Sequence, residues 1–169
     1  MSELLRQMQR ALILQDVYVR KAEAHTEGNF DPKYSKDQLG VQIKFATVPE
    51  VERFELSDDS DPEQKIRFLR FSVETGVRFV VADSHDTSDP AVRAEITATF
   101  SADYAVKNQN DVTDDGVMAF SESENVTYHV WPYWREFIHS TCARLRLPSA
   151  VLPMYRPKTR NTEPPSSNS

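Results

Sequence analysis

The chain is poor in the residues that most often carry chemistry or covalent scaffolding. It has a single cysteine, Cys142, in 169 residues, so no internal disulfide can form, and a lone thiol fits a reducing compartment. With four glycines, no phosphate-cradling loop is present and no nucleotide is implied. No apolar run approaches the ~20 residues needed to span a bilayer. The N-terminus, Met1 to Gln15, mixes Arg6 and Arg10 with its apolar residues and holds no signal core. No basic block appears either. The net charge is −6 and the pI about 5.2, a poor match to a phosphate backbone. These absences predict a cytoplasmic protein with no membrane insertion and no nucleic-acid partner.

Groupings with catalytic or ligating geometry are just as scarce. His129 and His139 fall on one helix but nearly three turns apart and about 80° out of line, so they make no metal pair. His85 with Asp83, Asp86 and Asp89 lacks the spacing and glycine of a calcium loop. No Ser/His/Asp or Cys/His grouping is supported, and no acid/base couple is marked out. The expectation is no enzyme, no metal and no cofactor. Cys142 lies in an apolar helical stripe and reads as a small buried hydrophobe.

What the chain does have is alternation. Hydrophobic residues make up 39% and aromatic residues 10%, enough for the core of one domain. Ser2 caps a short predicted helix over Glu3 to Ala11. Leu12, Leu14, Val17 and Val19 give a first strand with a bulge at Gln15–Asp16. Leu39, Val41, Ile43 and Phe45 give a second. Leu69, Phe71, Val73, Val77, Phe79 and Val81 share one phase of a third. Ile96, Ala98, Phe100, Ala102, Tyr104 and Val106 share one phase of a fourth. Asp83 to Pro90 is a turn-rich loop, and the stretch from Thr47 to Gln64 reads as a long acidic loop carrying Val48, Val51, Phe54 and Leu56.

A helix follows. It begins near Thr113-Asp114-Asp115, where short polar side chains cap it, and runs to about Arg146, with Pro132 as a kink or a start. Trp131, Trp134, Ile138, Cys142 and Leu145 step along one face, with Val130, Tyr133, Phe137 and Thr141 beside them. The fold class is therefore α+β: a four-stranded antiparallel sheet backed by one long C-terminal helix. One helix is little cover for strands this long, and its apolar stripe is wider than one sheet face needs. Self-association is expected, with Tyr133, Trp134, Phe137 and Ile138 at the interface. The domain spans residues 1–156, and the Pro/Ser-rich remainder, 157–169, reads as a disordered polar tail.

The stretch from Trp131 to Pro157 also resembles the segment that follows the sheet in the SecB family of export chaperones. The matching pattern is Trp131, Pro132, Tyr133, Arg135, Glu136, Ser140, Arg144 and Pro148, and Met118-Ala119 fall in register with it. The resemblance implies an ATP-independent holdase that binds unfolded polypeptide, keeps preproteins export-competent and assembles as a homotetramer, a dimer of dimers. It places clients against Val48, Val51, Phe54 and Leu56 of a crossover loop and Met118, Phe120, Tyr128 and Trp131 of the nearby helix. Partners implied are unfolded preproteins and the motor SecA or, as in SecB-like proteins dedicated to antitoxins, an antitoxin. Three places depart from the pattern. Lys21 and His25 stand where the family shows carboxylates for SecA, a second C-terminal helix is missing, and Leu145 replaces a helix-ending Gly. A reading from another class is a small-ligand pocket between sheet and helix, lined by Tyr104, Tyr128 and Trp131.

Overall fold

The alternating segments form four long antiparallel strands, and the helical stripe lies across one face of them. The computed structural model describes residues 3–57, 61, 63–81 and 91–155. The elements are α1 (Glu3–Ala11), β1 (Leu12–Thr26), β2 (Leu39–Ser57), β3 (Lys65–Val81), β4 (Val92–Val106), α2 (Asp114–Ser121) and α3 (Glu124–Arg144). The sheet order is β1-β4-β3-β2, so β2, β3 and β4 meander while β1 crosses to lie beside β4. The architecture is the α+β one expected, with α1 over the residues predicted for it and the C-terminal helix divided into α2 and α3. The cap of α1 at Ser2, the loop 83–90 with its His85 and Asp83/Asp86/Asp89 cluster, and the tail 157–169 lie outside the described residues.

Strand parity decides what is buried. Leu69, Phe71, Val73, Val77 and Phe79 of β3 and Ile96, Ala98, Phe100, Ala102 and Tyr104 of β4 all face the helices and are buried. Within that layer Thr75 is a polar exception, and its Oγ1 donates to the Ala98 carbonyl at 2.8 Å. β1 slips register between Leu14 and Asp16, at the expected bulge, and slips again between Val19 and Lys21. Without those slips its apolar residues would leave the helix side.

The long loop read from Thr47 to Gln64 is instead mostly strand. β2 runs on to Ser57 and pairs with β3 down to Lys65, interrupted by a bulge in which Thr47 faces Val73 and Val51 faces Phe71. The bulge erases the period of two, which is why this stretch resembles a loop in sequence. The segment that does cross over the sheet is 27–38. It is held by Glu27 N–H to the Arg93 carbonyl at 2.9 Å and by an Arg93–Asp37 ion pair at 2.8 Å.

The predicted single helix is two helices. Thr113 caps α2, its Oγ1 accepting from Gly116 N–H, and Ser123 caps α3 after a break at Glu122. Pro132 sits inside α3 and neither starts nor ends it. Gly116 lets α1 and α2 pack closely: a Cβ there would lie 2.9 Å from Met8 Sδ, so the Met8 side chain would have to shift.

On α3 the buried positions are Val126, Val130, Trp134, Ile138, Thr141 and Cys142. Steps of four advance about 40° each around a helix, so this stripe winds as it goes and follows a twisted sheet. Trp134 and Ile138 are wholly buried against their own sheet, which removes them from the expected subunit interface. Tyr133 is exposed and Phe137 half-buried, packed edge-on to Phe100 at 5.9 Å. The second flank of α3 is covered in part by the chain itself. Leu147, Ala150 and Leu152 join the core, and Trp131 Nε1 donates to the Pro153 carbonyl at 3.1 Å. Among the described residues no helix is long and apolar enough to cross a membrane.

The helix ends in a Schellman turn: Leu147 N–H reaches the Cys142 carbonyl at 2.9 Å, and Arg146 adopts φ 57°. The left-handed position that favours glycine is thus Arg146, one residue beyond Leu145. Replacing Arg146→Gly relieves the Cβ clash there and is expected to raise stability by about 0.5–1 kcal/mol. Urea unfolding measures it, and an unchanged or lower midpoint refutes the assignment.

Candidate functional site

The helix layer does not cover the whole sheet, and the gap along β2 is the candidate site. β2 is a terminal strand, and its helix-side residues Phe45 and Val51 form the floor of an open groove of about 730 Å³. Val117 and Met118 of α2, Thr127 of α3 and Tyr155 of the C-terminal segment complete its walls. The lip is acidic. Asp114, Glu122 and Glu124 border it, and Arg53, its one lining cation, is tied to Asp114 at 2.6 Å.

Aromatic rings run from this groove into the core without a gap. Phe45 packs on Trp131 at 5.1 Å, Trp131 on Tyr155 at 5.4 Å and Tyr155 on Tyr128 at 6.2 Å. Tyr128 then meets His129, His129 meets Tyr104, and Tyr104 meets Phe120 at 5.4 Å. The wall is therefore anchored rather than hung on a loop. Burial pushes the Tyr155 hydroxyl pKa up, and Glu124 beside it adds to the shift.

The expected site residues divide. Val51 and Met118 line the groove, and Tyr128 and Trp131 join it through Tyr155. Met118 and Tyr128 are 64% and 58% exposed, high for large apolar side chains outside a binding surface. Val48 lies within the bulge and is half-buried. Phe120 is buried beneath the groove, packed on Phe71 at 5.3 Å, and is out of reach of a ligand. Phe54 and Leu56 pair with Phe68 and Ile66 in register, which turns them to the opposite face of the sheet. A crossover loop would have let all four apolar residues of that stretch face one way; a strand cannot. Phe45, Val117 and Tyr155 were missed. Phe45 continued a visible alternation, whereas nothing local in the sequence marks Tyr155.

The outer face carries its own organisation. Arg70 grips Asp103 with two hydrogen bonds, at 2.7 and 2.8 Å, and reaches Glu52 at 3.2 Å. Those bonds hold its guanidinium even more firmly protonated than usual. It also lies over the Phe54 ring at 4.6 Å and the Tyr18 ring at 5.7 Å. Lys21 and His25 stand on this face too, near Glu23 at 3.0 Å and Glu27 at 3.8 Å respectively.

The space between sheet and helix at Tyr104 is filled. The Tyr104 hydroxyl meets His129 Nδ1 at 2.7 Å, and Phe71 and Phe120 pack its ring. Burial likewise raises the Cys142 thiol pKa. Among the described residues no group of His, Cys, Asp and Glu could hold a metal ion.

No protein-family profile matches the chain, and no curated protein matches it. Among solved structures it is similar to the Rv1957 SecB-like chaperone of Mycobacterium tuberculosis, in complex with a ChAD peptide from the Rv1956 HigA1 antitoxin. The TM-score is 0.64 at 16% identity, over 94% of this chain and 100% of that one. A protein of unknown function from Streptococcus agalactiae aligns over 85% of this chain and 97% of its own, but at TM-score 0.33 and 11% identity it carries no argument. The fold is SecB-like.

Burial lowers the pKa of His129 from its ordinary value near 6.5. A neutral His129 that accepts from Tyr104 is favoured in the folded state, so the unfolded chain takes up the proton first as pH falls. That contribution to stability is complete above ~6.5 and is lost on acidification below it. Urea midpoints taken from about pH 7.5 to about 5.5 should fall further for the wild type than for His129→Gln. Equal losses would show that His129 is not the titrating group.

Proposed function

We propose that this protein is a chaperone that holds unfolded or extended polypeptide without nucleotide and catalyses no reaction. The observation that carries the reading is the open groove, lined by Phe45, Val51, Val117 and Met118, with Asp114, Glu122 and Glu124 along its lip. The apolar floor supplies attraction by removing client side chains from water, at ~25 cal/mol per Å² before association costs. The acidic lip favours cationic residues beside them. The chain acts in the cytoplasm as a homotetramer, a dimer of dimers, and several such grooves sharing one client raise avidity above single-site affinity.

Two client classes fit, unfolded preproteins and an antitoxin. Two observations favour the antitoxin role. The SecB-like neighbour was solved with a peptide from an antitoxin. The outer face here offers Lys21 and His25 rather than a run of carboxylates, a poor match to the docking surface expected for SecA. The export role remains the second reading.

Light scattering on a sizing column, with and without a reduced, carboxymethylated unfolded protein, tests the proposal. The expected result is a mass near four times 19.4 kDa that co-elutes with the client. A monomer that ignores the unfolded protein defeats it. Site variants locate the groove. Val51→Asp and Met118→Asp should each weaken client binding by about tenfold or more, because a carboxylate on an apolar contact must be desolvated. Leu56→Asp, on the far face of the sheet, should bind as the wild type does. Loss in Leu56→Asp with retention in Met118→Asp would place the client on the wrong side for this proposal.

A further inference from the structure

The groove is not closed on the side of β2. Among the described residues no strand pairs with the outer edge of β2, so from Leu39 to Ala46 its outward backbone groups have no strand partner. Along that stretch Val41, Ile43 and Phe45 project on the helix side, in register with Phe79, Val77 and Thr75. Val41 and Ile43 are 42% and 44% exposed although their β3 neighbours Val77 and Phe79 are wholly buried. An apolar row on an unpaired edge thus leads, two residues at a time, to Phe45 at the groove.

The other edge of the sheet is built differently. On β1 the helix-side residues beyond the second bulge are the small Ala22 and Ala24, and the alternate positions carry Lys21, Glu23 and His25. Charges and bulges of that kind discourage strand addition. β2 carries a single charge in its outer stretch, Lys44, which is paired with Glu74 at 3.6 Å, and one bulge, between Thr47 and Val51, which limits a paired stretch to Leu39–Ala46. At ~3.4 Å per residue that is a ladder of about 27 Å.

From these features we infer that the client is bound as an added fifth strand on the β2 edge. Its backbone pairs with Leu39–Ala46, and alternate apolar side chains lie over Val41, Ile43 and Phe45. The occupant is an extended polypeptide with apolar residues at every second position and a lysine or arginine where it meets the lip formed by Asp114, Glu122 and Glu124. Main-chain hydrogen bonds are blind to sequence, so one edge can serve many clients, while the groove at Phe45 and Val51 reads one or two anchoring side chains. The inference rests on the peptide-binding reading and adds the mode of binding to it.

The test uses a fluorescent synthetic peptide of about ten residues that alternates valine or phenylalanine with threonine or lysine. Two further versions are N-methylated, one on the even amides and one on the odd. In an added strand only one of the two sets points at the protein. One methylated peptide should therefore lose about tenfold or more in affinity by fluorescence anisotropy, and the other should bind nearly as the parent does. Ile43→Lys should weaken the parent peptide, and Ala22→Lys on β1 should not. If both methylated peptides bind alike, or weaken alike, the added strand is overturned while peptide binding in the groove stands. Failure of the parent peptide to bind, where the unfolded protein does bind, also overturns it. Failure of both ligands to bind ends the chaperone reading itself.

Discussion

The seat of α3 on the sheet is the constraint from which the rest follows. A twisted four-stranded sheet presents one long apolar face, and α3 is the only described helix with the length to cover it. Val126, Val130, Trp134, Ile138 and Cys142 wind about the helix in steps of four, so the contact is a diagonal. A diagonal does not reach the full width of the face. Ala22 and Ala24 of β1 stand in the same rows as Phe45 and Ile43 of β2, at the other edge of the sheet. On β2 the side chains left exposed are Val41 and Ile43, and beside Phe45 α2 and the C-terminal segment wall the gap into a groove. The candidate site is thus a geometric consequence of covering a wide sheet with one helix, sharpened by what the sequence places on each edge strand.

The buried layer is specified by shape and by few polar bonds. Phe71, Phe100, Tyr104, Phe120 and Trp134 interlock edge to face, with Phe71 and Tyr104 at 90° and 5.5 Å apart. Edge-to-face contacts of this kind set ring orientation as well as burial. Two buried polar atoms, Trp134 Nε1 in that layer and Ser101 Oγ on the opposite face of β4, have no partner among the described residues. An unpaired buried donor costs on the order of 1–3 kcal/mol, so the indole at position 134 is held for its size rather than its nitrogen. Tyr104 and His129, by contrast, satisfy one another, and through His129 the core layer connects to Tyr128, Tyr155 and the groove.

Most of the sheet was legible because its signals are local. Strict alternation in β3 and β4 gave the buried face from Leu69 to Phe79 and from Ile96 to Tyr104, though not at Val81 or Val106, which are half-buried, and the change of phase after Leu14 gave a bulge in the right place. The cap at Thr113 was equally local. Three features were hidden by longer-range causes. The bulge between Thr47 and Val51 broke the alternation of β2, so its second half read as a loop. The break at Glu122 falls in the polar run Ser121 to Asn125, and whether such a run interrupts a helix or lies on its solvent face depends on how α2 and α3 each pack. The burial of Trp134 and Ile138 depends on which flank of a broad stripe meets the sheet, and that choice is made by the C-terminal segment covering the other flank.

The error at Phe54 and Leu56 shows why strand parity outweighs hydrophobicity in locating a site. Both are apolar and both lie in an acidic stretch, which favours a binding role when the stretch is taken as a loop. Paired as strand, they meet Phe68 and Ile66 on the outer face, where Phe54 stacks on Phe68 at 5.1 Å and 7°. The next row along that face is charged: Asp16, Asp103, Arg70 and Glu52 lie in register across all four strands. Arg70 joins the two rows, its guanidinium bound to Asp103 and Glu52 while its plane covers Phe54. An apolar ring capped in this way is partly withdrawn from water and needs no partner. Val41 and Ile43, on the helix side of the same strand, stay 42% and 44% exposed, and that exposure beside an unpaired edge is what sets them apart from Phe54.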